Sequence, residues 1–186
     1  NEEEVLPITL SELPEFIEGI DELEVLIVDD GSSDNTVKVA EKHGVHHVVS
    51  ISQNKGLANA FMMGIDACLK AGADIIVNTD ADNQYCAADI KKLLQPILLN
   101  EAEIVIGARN LSKIEHFSLV KNILQKIGSW VVKLVSHTGV QDAPSGFRAI
   151  SREAALKFVV YNDYTYTLET IIQAGQNGIK IVSVPI

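Results

Sequence analysis

IIVNTDADNQY, residues 75–85, joins a short apolar run to two carboxylates that are spaced one residue apart. The run is rich in β-branched side chains and ends abruptly, which is typical of a buried strand. Side chains two residues apart on an extended chain project to the same side. The spacing therefore predicts that Asp80 and Asp82 face one ligand at the end of a strand.

The same segment predicts a site for a divalent cation. Asp80, Asp82 and Gln84 offer hard oxygen atoms, and Mg²⁺ or Mn²⁺ needs few protein ligands because substrate phosphates and waters complete its octahedral shell. A lone D-x-D is most often a surface turn. Here it follows a strand, at the position where open parallel sheets bind ligands, so we predict a metal-bound diphosphate.

Composition bounds the class of protein. The chain has 186 residues and a net charge of −10, which predicts one domain over 1–186 and argues against nucleic acid as a partner. A bound cation reverses the local sign, so a phosphorylated small molecule remains compatible with this charge. Cys68 and Cys86 form no C-x-x-C pair, which favours a reducing compartment. No run of about 18 apolar residues, the length of a bilayer span, occurs.

The elements alternate along the chain between strand-like and helix-like patterns, which predicts an α/β fold with a doubly wound, mainly parallel sheet and helices on both faces. The predicted strands are 24–28, 47–49, 74–79, 104–109 and 180–184. The predicted helices are 2–13, 35–43, 57–70, 88–99, 119–137, 151–158 and 167–175. Residues 142–148 read as a turn-rich loop.

Four polar clusters follow strand ends or lie in connecting loops: Asp29-Asp30, the 80–84 segment, Arg109, and the loop 142–148. The carboxyl ends of parallel strands share one rim, so these clusters are expected to converge. A carboxylate binds base or ribose groups, and an arginine contacts phosphate with two N–H groups. Together they predict a nucleotide-diphosphate site where metal and arginine stabilise a departing nucleoside diphosphate.

Five motifs resemble those of family 2 glycosyltransferases of the GT-A fold, in the same order over essentially the whole chain. They are VDDGS at 28–32, NKG at 54–56, DADNQ at 80–84, GAR at 107–109 and SGFR at 145–148. The nearest likeness is to dolichyl- or polyprenyl-phosphate mannosyl- and glucosyltransferases. The resemblance implies a GT-A domain, a divalent metal and a nucleotide-sugar donor.

The resemblance also implies a role for each matching position. Asp30 corresponds to the acid that contacts the nucleoside, and Lys55 is either a plain loop cation or a phosphate contact. The residues implied to bind the nucleotide sugar are Glu2, Val28, Asp29, Asp30, Lys55, Asp80, Ala81 and Arg109. The metal set is Asp80, Asp82 and Gln84, and the catalytic set is Asp82, Asp142 and Arg109. Ser145 and Arg148 fall on the acceptor side, although Arg148 is also placed to pair with Asp142.

Two departures from the family pattern affect the expected boundaries. The family begins with a central strand ending in a P-x-Y-N-E-type motif, of which only Asn1-Glu2-Glu3 remains here. It also continues past the V-P-I strand into a basic segment that this chain lacks. We therefore expect a domain truncated at both ends, with the first central strand missing. Peripheral contact with the cytoplasmic face of a membrane is expected through parts outside the chain.

The resulting hypothesis is metal-dependent, inverting transfer of a hexose from a donor of the GDP-mannose or UDP-glucose type to a polyprenyl phosphate. Such an acceptor arrives ionised and needs no general base, which fits the lack of an obvious His–carboxylate dyad. A hydroxyl acceptor would need a base, for which Asp142 and Glu169 are candidates. A receiver-like signalling domain, suggested by the acidic pocket at 27–30, and a catalytically silent sugar-nucleotide binder are the alternatives from other classes.

Overall fold

The computed structural model describes residues 1–109, 139–160 and 166–186. The helix predicted at 119–137 lies outside these ranges. Within them, no helix combines the length and the apolar character that crossing a membrane requires.

The described strands and helices alternate as the sequence predicts. The strands are β1 Leu26–Asp29, β2 His47–Ser50, β3 Ile75–Asn78, β4 Ile104–Ala108, β5 Arg148–Ser151 and β6 Ile181–Pro185. The helices are α1 Leu6–Glu12, α2 Thr36–Lys42, α3 Leu57–Ala71, α4 Ile90–Leu98, α5 Arg152–Ala155 and α6 Tyr166–Gln176, and a 3₁₀ turn at Ala87–Asp89 precedes α4. Helix α4 contains Pro96 and ends two residues beyond it.

Helix α1 begins at Leu6, later than predicted. The acidic residues before it form hydrogen bonds with residues at the start of α2. The carboxylate of Glu3 accepts hydrogen bonds from the backbone N–H (2.8 Å) and the side chain (3.0 Å) of Asn35, directly before α2. The backbone N–H of Glu2 donates to the hydroxyl of Thr36 at 2.8 Å. Glu2 and Glu3 therefore bind the segment at the start of α2.

The strands form two sheets. Strands β1 and β2 pair in parallel, from Leu26 opposite His47 to Asp29 opposite Ser50. The second sheet has the order β3-β5-β4-β6. Strands β3, β4 and β6 run in one direction, and β5 runs antiparallel between β3 and β4. The sequence analysis did not predict β5, because only three residues separate Phe147 from Ser151, the cap of the next helix.

The direction of β5 determines where the loop 142–147 lies. Arg148, the first residue of β5, pairs with Asn78 at the end of β3 and with Ile106 near the end of β4. The start of β5 therefore meets the carboxyl ends of its two neighbours. An antiparallel insertion thus brings this loop to the rim that carries the acidic segment.

Helices cover both faces of the four-stranded sheet, and alternate strand residues supply the two cores. Ile104 and Ile106 of β4 pack with residues of α3, α5 and α6 on one face. Val105, between them, packs with residues of α4 on the other face. This period of two is the pattern expected for a strand covered on both sides.

An apolar slot separates the two sheets. It has a volume of about 400 Å³ and is lined by side chains of α1, β1, α3 and β3, among them Leu6, Ile27, Phe61 and Ile76. Among the residues that the structure describes, β1 pairs only with β2 and β3 pairs only with β5. One edge of each strand therefore faces the slot.

Ser151 caps α5, as the sequence predicts, by accepting a hydrogen bond from the N–H of Ala154 at 3.3 Å. Replacement of this cap by alanine leaves a buried N–H unpaired. We expect Ser151→Ala to lower the free energy of unfolding by about 1 kcal/mol, measured by urea denaturation. The exposed Ser52 gives a matched control, and equal midpoints for Ser151→Ala and Ser52→Ala would contradict the capping role.

Candidate active site

The acidic segment after β3 is a turn and not the extended chain that the sequence analysis assumed. Residues 81–82 turn, and Asn83 has a φ of 58°, in the left-handed region that asparagine tolerates. The hydroxyl of Thr9 in α1 donates to the carbonyl of Ala81 at 3.0 Å, and the N–H of Gln84 donates to Asp82 Oδ1 at 3.2 Å. The turn, and not strand alternation, sets the relation between the two carboxylates.

Asp80 and Asp82 nevertheless lie close enough to influence each other. Burial raises the pKa of Asp80, the charge of Asp82 raises it further, and the charge of Arg109 lowers it. The repulsion between two nearby carboxylates is relieved when they bind a cation. Asp80, Asp82 and Arg109 are therefore brought together, as the sequence predicted.

The donor atoms fit a hard cation that shares its shell with a substrate. Within the described ranges, no three side chains of His, Cys, Asp or Glu come together as a complete metal site. Two aspartates alone suit Mg²⁺ or Mn²⁺ bound to a diphosphate and do not suit a structural zinc site. Gln84 is exposed, and the contact that the structure gives it with Asp82 is through its backbone N–H.

A cavity of about 240 Å³ opens at the carboxyl end of β1, beside the acidic turn. Its lining includes five residues predicted to bind the nucleotide sugar: Glu2, Val28, Asp29, Asp30 and Ala81. The lining includes residues 29–32, at and after the end of β1, and Ala81, which follows β3, although β1 and β3 belong to different sheets. The cavity therefore has the position expected for a nucleoside next to its diphosphate.

Asp29 and Asp30 also organise the loops that form this cavity. Asp30 accepts hydrogen bonds from the N–H groups of Lys55 (2.8 Å) and Gly56 (2.9 Å), which fixes the NKG loop. Asp29 is buried and accepts from the N–H of Ser32 at 3.1 Å. Gly31 has a φ of +80°, and a Cβ there would lie 3.0 Å from the nitrogen of Asn54. The side chain of Lys55 is exposed.

Arg109 and Asp142 form a two-pronged ion pair at the end of β4. Arg109 Nε lies 2.8 Å from Asp142 Oδ2, and Nη2 lies 3.1 Å from Oδ1. The backbone N–H of Arg109 donates to Oδ2 at 3.2 Å. The carboxylate is 2% exposed and the guanidinium 34%, and the pairing raises the pKa of Arg109. Asp142 is thus enclosed, while one edge of Arg109 faces the rim.

Arg148 lies inside the protein and not on an acceptor-facing surface. It is 1% exposed and donates to the carbonyls of Ser145 (2.7 Å), Ala143 (2.7 Å) and Thr167 (2.9 Å) and to the hydroxyl of Thr170 (3.0 Å). Burial lowers its pKa to about 10, which leaves it charged at neutral pH. The predicted pairing with Asp142 does not form, because Arg109 occupies that carboxylate. Arg148 holds the loop 142–147 against α6.

Ser145, the other residue predicted on the acceptor side, is also fully buried. Among the described residues, its hydroxyl is the one buried side-chain polar atom without a hydrogen-bond partner. An unsatisfied buried hydroxyl is unfavourable by about 1–3 kcal/mol. The loop therefore holds an unused donor close to the acidic turn.

The family of the chain follows from comparison with known proteins. Residues 1–158 match the model of glycosyl transferase family 2. The chain belongs to this family. This glycosyltransferase therefore is not a receiver domain, and the predicted enzyme class is confirmed.

Two relatives with named activities are about one third identical to the chain or less. A UDP-N-acetylglucosamine–dolichyl-phosphate N-acetylglucosaminyltransferase of Methanococcus voltae is 33% identical over 184 residues, covering 87% of this glycosyltransferase and 73% of the relative. An undecaprenyl-phosphate mannosyltransferase of Micrococcus luteus is 28% identical over 197 residues, covering 100% of this glycosyltransferase and 79% of the relative.

Solved structures confirm the predicted GT-A fold. Glucosyl-3-phosphoglycerate synthase of Mycobacterium tuberculosis, in complex with Mn²⁺, UDP-glucose and phosphoglyceric acid, has a TM-score of 0.74 and 21% identity, covering 100% of this glycosyltransferase and 67% of that chain. The same enzyme with Mg²⁺ and UDP has a TM-score of 0.75 and 22% identity, covering 100% and 66%. At this identity the likeness concerns the fold.

Three side chains of the glycosyltransferase site were missed from the sequence. Asn78, the last residue of β3, donates to the carbonyl of Gly146 at 2.7 Å and to the hydroxyl of Tyr166 at 3.2 Å. The hydroxyl of Tyr85 accepts from the N–H of Gly146 at 3.3 Å. Asn78 had a visible signal, since it is the first polar residue after an apolar run. The tyrosines had none, because their partners come from distant segments.

Proposed function

We propose that this glycosyltransferase moves a hexose from a nucleotide-diphosphate sugar to a polyprenyl or dolichyl phosphate, with Mg²⁺ or Mn²⁺ bound at Asp80 and Asp82. The acceptors in the names of its relatives support the lipid phosphate. The Mn²⁺, Mg²⁺ and UDP in the complexes of its fold neighbours support the metal and the donor. Peripheral contact with the cytoplasmic face of a membrane is part of the proposal.

The acceptor class is inferred from the hydrogen bonding and burial of the Asp142 carboxylate. A hydroxyl acceptor needs a base that is open to the substrate and able to take its proton. Three N–H groups of Arg109 occupy the Asp142 carboxylate, which is 2% exposed. The second candidate, Glu169, accepts a hydrogen bond from Gln173 at 3.2 Å on α6. An acceptor phosphate supplies its own ionised oxygen and needs neither residue.

The donor would bind across the two sheets. Its nucleoside would occupy the 240 Å³ cavity beside Asp29 and Asp30, and its diphosphate would lie over the acidic turn. A cation held by Asp80 and Asp82 would neutralise charge on the departing diphosphate. Arg109, anchored by Asp142, would present its exposed edge to phosphate or sugar. A single displacement by the acceptor oxygen would invert the anomeric centre.

Calorimetric titration tests the donor half of the proposal. GDP-mannose, UDP-glucose and UDP-N-acetylglucosamine are titrated with Mn²⁺ present and again with the metal chelated. One donor is expected to bind only with the metal. Absence of binding by all three under both conditions would overturn the proposed donor site.

The acceptor part of the proposal is tested by comparing two lipids that have the same hydrocarbon chain. Transfer is measured from the donor that binds to a short polyprenyl phosphate and to the corresponding polyprenol. The phosphate is expected to be the only substrate, because it alone carries an ionised oxygen near neutral pH. Equal transfer to the alcohol would favour the hydroxyl-acceptor alternative.

The role of Asp142 gives a separate prediction. Asp142→Asn keeps the shape of the side chain and removes its ability to act as a base. We expect kcat to fall by at most about tenfold, because a base would contribute about 10²–10⁴-fold. The pH profile of kcat is the measurement. Loss of an acidic limb from that profile, together with a fall beyond a hundredfold, would identify Asp142 as the base.

A further inference from the structure

Gly146, in the loop 142–147, lies next to the carboxylate of Asp80. An ideal Cβ at Gly146 would lie 3.2 Å from Asp80 Oδ2, 3.4 Å from Asp80 Oδ1 and 3.3 Å from the hydroxyl of Tyr166. The distances of 3.2 and 3.3 Å are tighter than ordinary van der Waals contact, so a neighbouring atom would have to move by a few tenths of an ångström. Glycine at position 146 therefore avoids a tight contact with the Asp80 carboxylate.

Residues on both sides of the acidic turn hold Gly146 at this distance. Asn78, two residues before Asp80, donates to the Gly146 carbonyl at 2.7 Å. The Gly146 N–H donates to the hydroxyl of Tyr85, three residues after Asp82, at 3.3 Å. The ring of Tyr85 also stacks on Phe147, with ring centroids 5.0 Å apart. Both backbone groups of the glycine are thus bound to the segment that carries the metal ligands.

Tyr166, the other side chain next to Gly146, is held in place by its contacts. The ring of Tyr166 stacks on Phe61 with centroids 4.0 Å apart and an interplanar angle of 16°. Tyr166 is 2% exposed, and Asn78 donates to its hydroxyl. The carboxylate of Asp80 sits at the end of a rotatable side chain on a partly exposed turn. A methyl group at position 146 would therefore displace Asp80 and not Tyr166.

We propose that Gly146 is a positioning residue for the metal site: its bare backbone, held by Asn78 and Tyr85, fixes the orientation in which Asp80 binds a divalent cation. This proposal rests on the proposed function, because Asp80 is taken as a metal ligand. It connects the loop that carries Asp142 to the carboxylate that meets the diphosphate. Groups that orient a metal ligand typically change metal affinity by about 10- to 100-fold when they are altered.

Gly146→Ala tests the proposal, and Gly139→Ala is its matched control. The same methyl group at Gly139 would meet nothing within 4 Å, and neither position has a positive φ. Mn²⁺ is titrated by electron paramagnetic resonance in the presence of UDP and, separately, of GDP. We expect about tenfold weaker Mn²⁺ binding for Gly146→Ala and no change for Gly139→Ala. The urea midpoint of both variants is expected to match the wild type.

Tyr85→Phe gives an independent second variant, since it keeps the stacked ring and removes the hydroxyl that holds Gly146. Tyr85→Phe is expected to weaken Mn²⁺ binding in the same direction as Gly146→Ala. Equal Mn²⁺ affinity in Gly146→Ala, Gly139→Ala and wild type would overturn the positioning role. Absence of Mn²⁺–nucleotide binding in the wild type would instead overturn the proposed function on which the inference rests.

Discussion

Asp82→Ala is expected to abolish metal-dependent donor binding and to lower kcat/KM by about 10³-fold. Asp80 and Asp82 are the two carboxylates at the acidic turn, and no third acidic, histidine or cysteine side chain joins them within the described residues. Removal of one leaves a single protein carboxylate for the cation. Calorimetry of the donor with and without Mn²⁺ measures the binding loss, and initial rates measure the catalytic one.

Asp66→Ala is the control for this substitution. Asp66 pairs with Lys70 at 2.6 Å on the exposed surface of α3, where both side chains are more than half exposed. Asp66→Ala removes one carboxylate charge, as Asp82→Ala does, and leaves the acidic turn intact. Donor affinity in this variant is expected to equal that of the wild type. An Asp82→Ala protein with unchanged metal-dependent binding would show that the turn does not hold the cation.

Arg148→Met is expected to lower the free energy of unfolding by about 3–5 kcal/mol, because several buried acceptors lose their donor together. The guanidinium donates to the buried carbonyls of Ala143 and Ser145 and to the partly buried carbonyl of Thr167. Methionine fills a similar volume and donates no hydrogen bond. Urea denaturation, followed by circular dichroism, is the measurement.

Arg152→Met is the matched control for the Arg148 substitution. Arg152 is partly buried and donates to the carbonyls of Leu69 (3.3 Å) and Ala73 (2.9 Å), which are near the protein surface. We expect a loss of about 1 kcal/mol for this variant. If Arg148→Met were no more destabilising than Arg152→Met and raised the KM of the acceptor, Arg148 would belong to the acceptor site after all.

The elements that the sequence predicted best are those with a strong local signal. The apolar runs ending in Asp29, Asn78 and Ala108 form strands, as their β-branched residues predicted. Strand β5 had no such signal, since it is four residues long and begins with an arginine. Its identity as a strand depends on pairing with β3 and β4, and pairing between distant segments is not encoded in a local pattern.

The site was predictable to the extent that strand ends share a rim. Asp80, Asp82 and Arg109 come together because β3 and β4 run in the same direction in one sheet. The environment of Arg148 was not predictable, since its partners include two residues of α6, nineteen or more positions away. The pairing of Arg109 with Asp142 likewise joins residues 33 positions apart. Sequence placed the charged groups at the rim, and only the fold decided which of them are enclosed.

The slot between the sheets has a consequence for local stability. Strand β1, which pairs with β2, lines the cavity proposed for the nucleoside, and within the described residues no backbone ladder joins these two strands to β3. Strands β1 and β2 pack against the rest of the protein through the side chains of α1 and α3 that line the slot. The amide hydrogens of these two strands should therefore exchange through a partial opening whose free energy is lower than that of global unfolding. A donor that contacts both sheets binds only the closed arrangement and slows that exchange by mass action. Occupancy of the donor site would thus be recorded as protection of β1 and β2 from solvent deuterium.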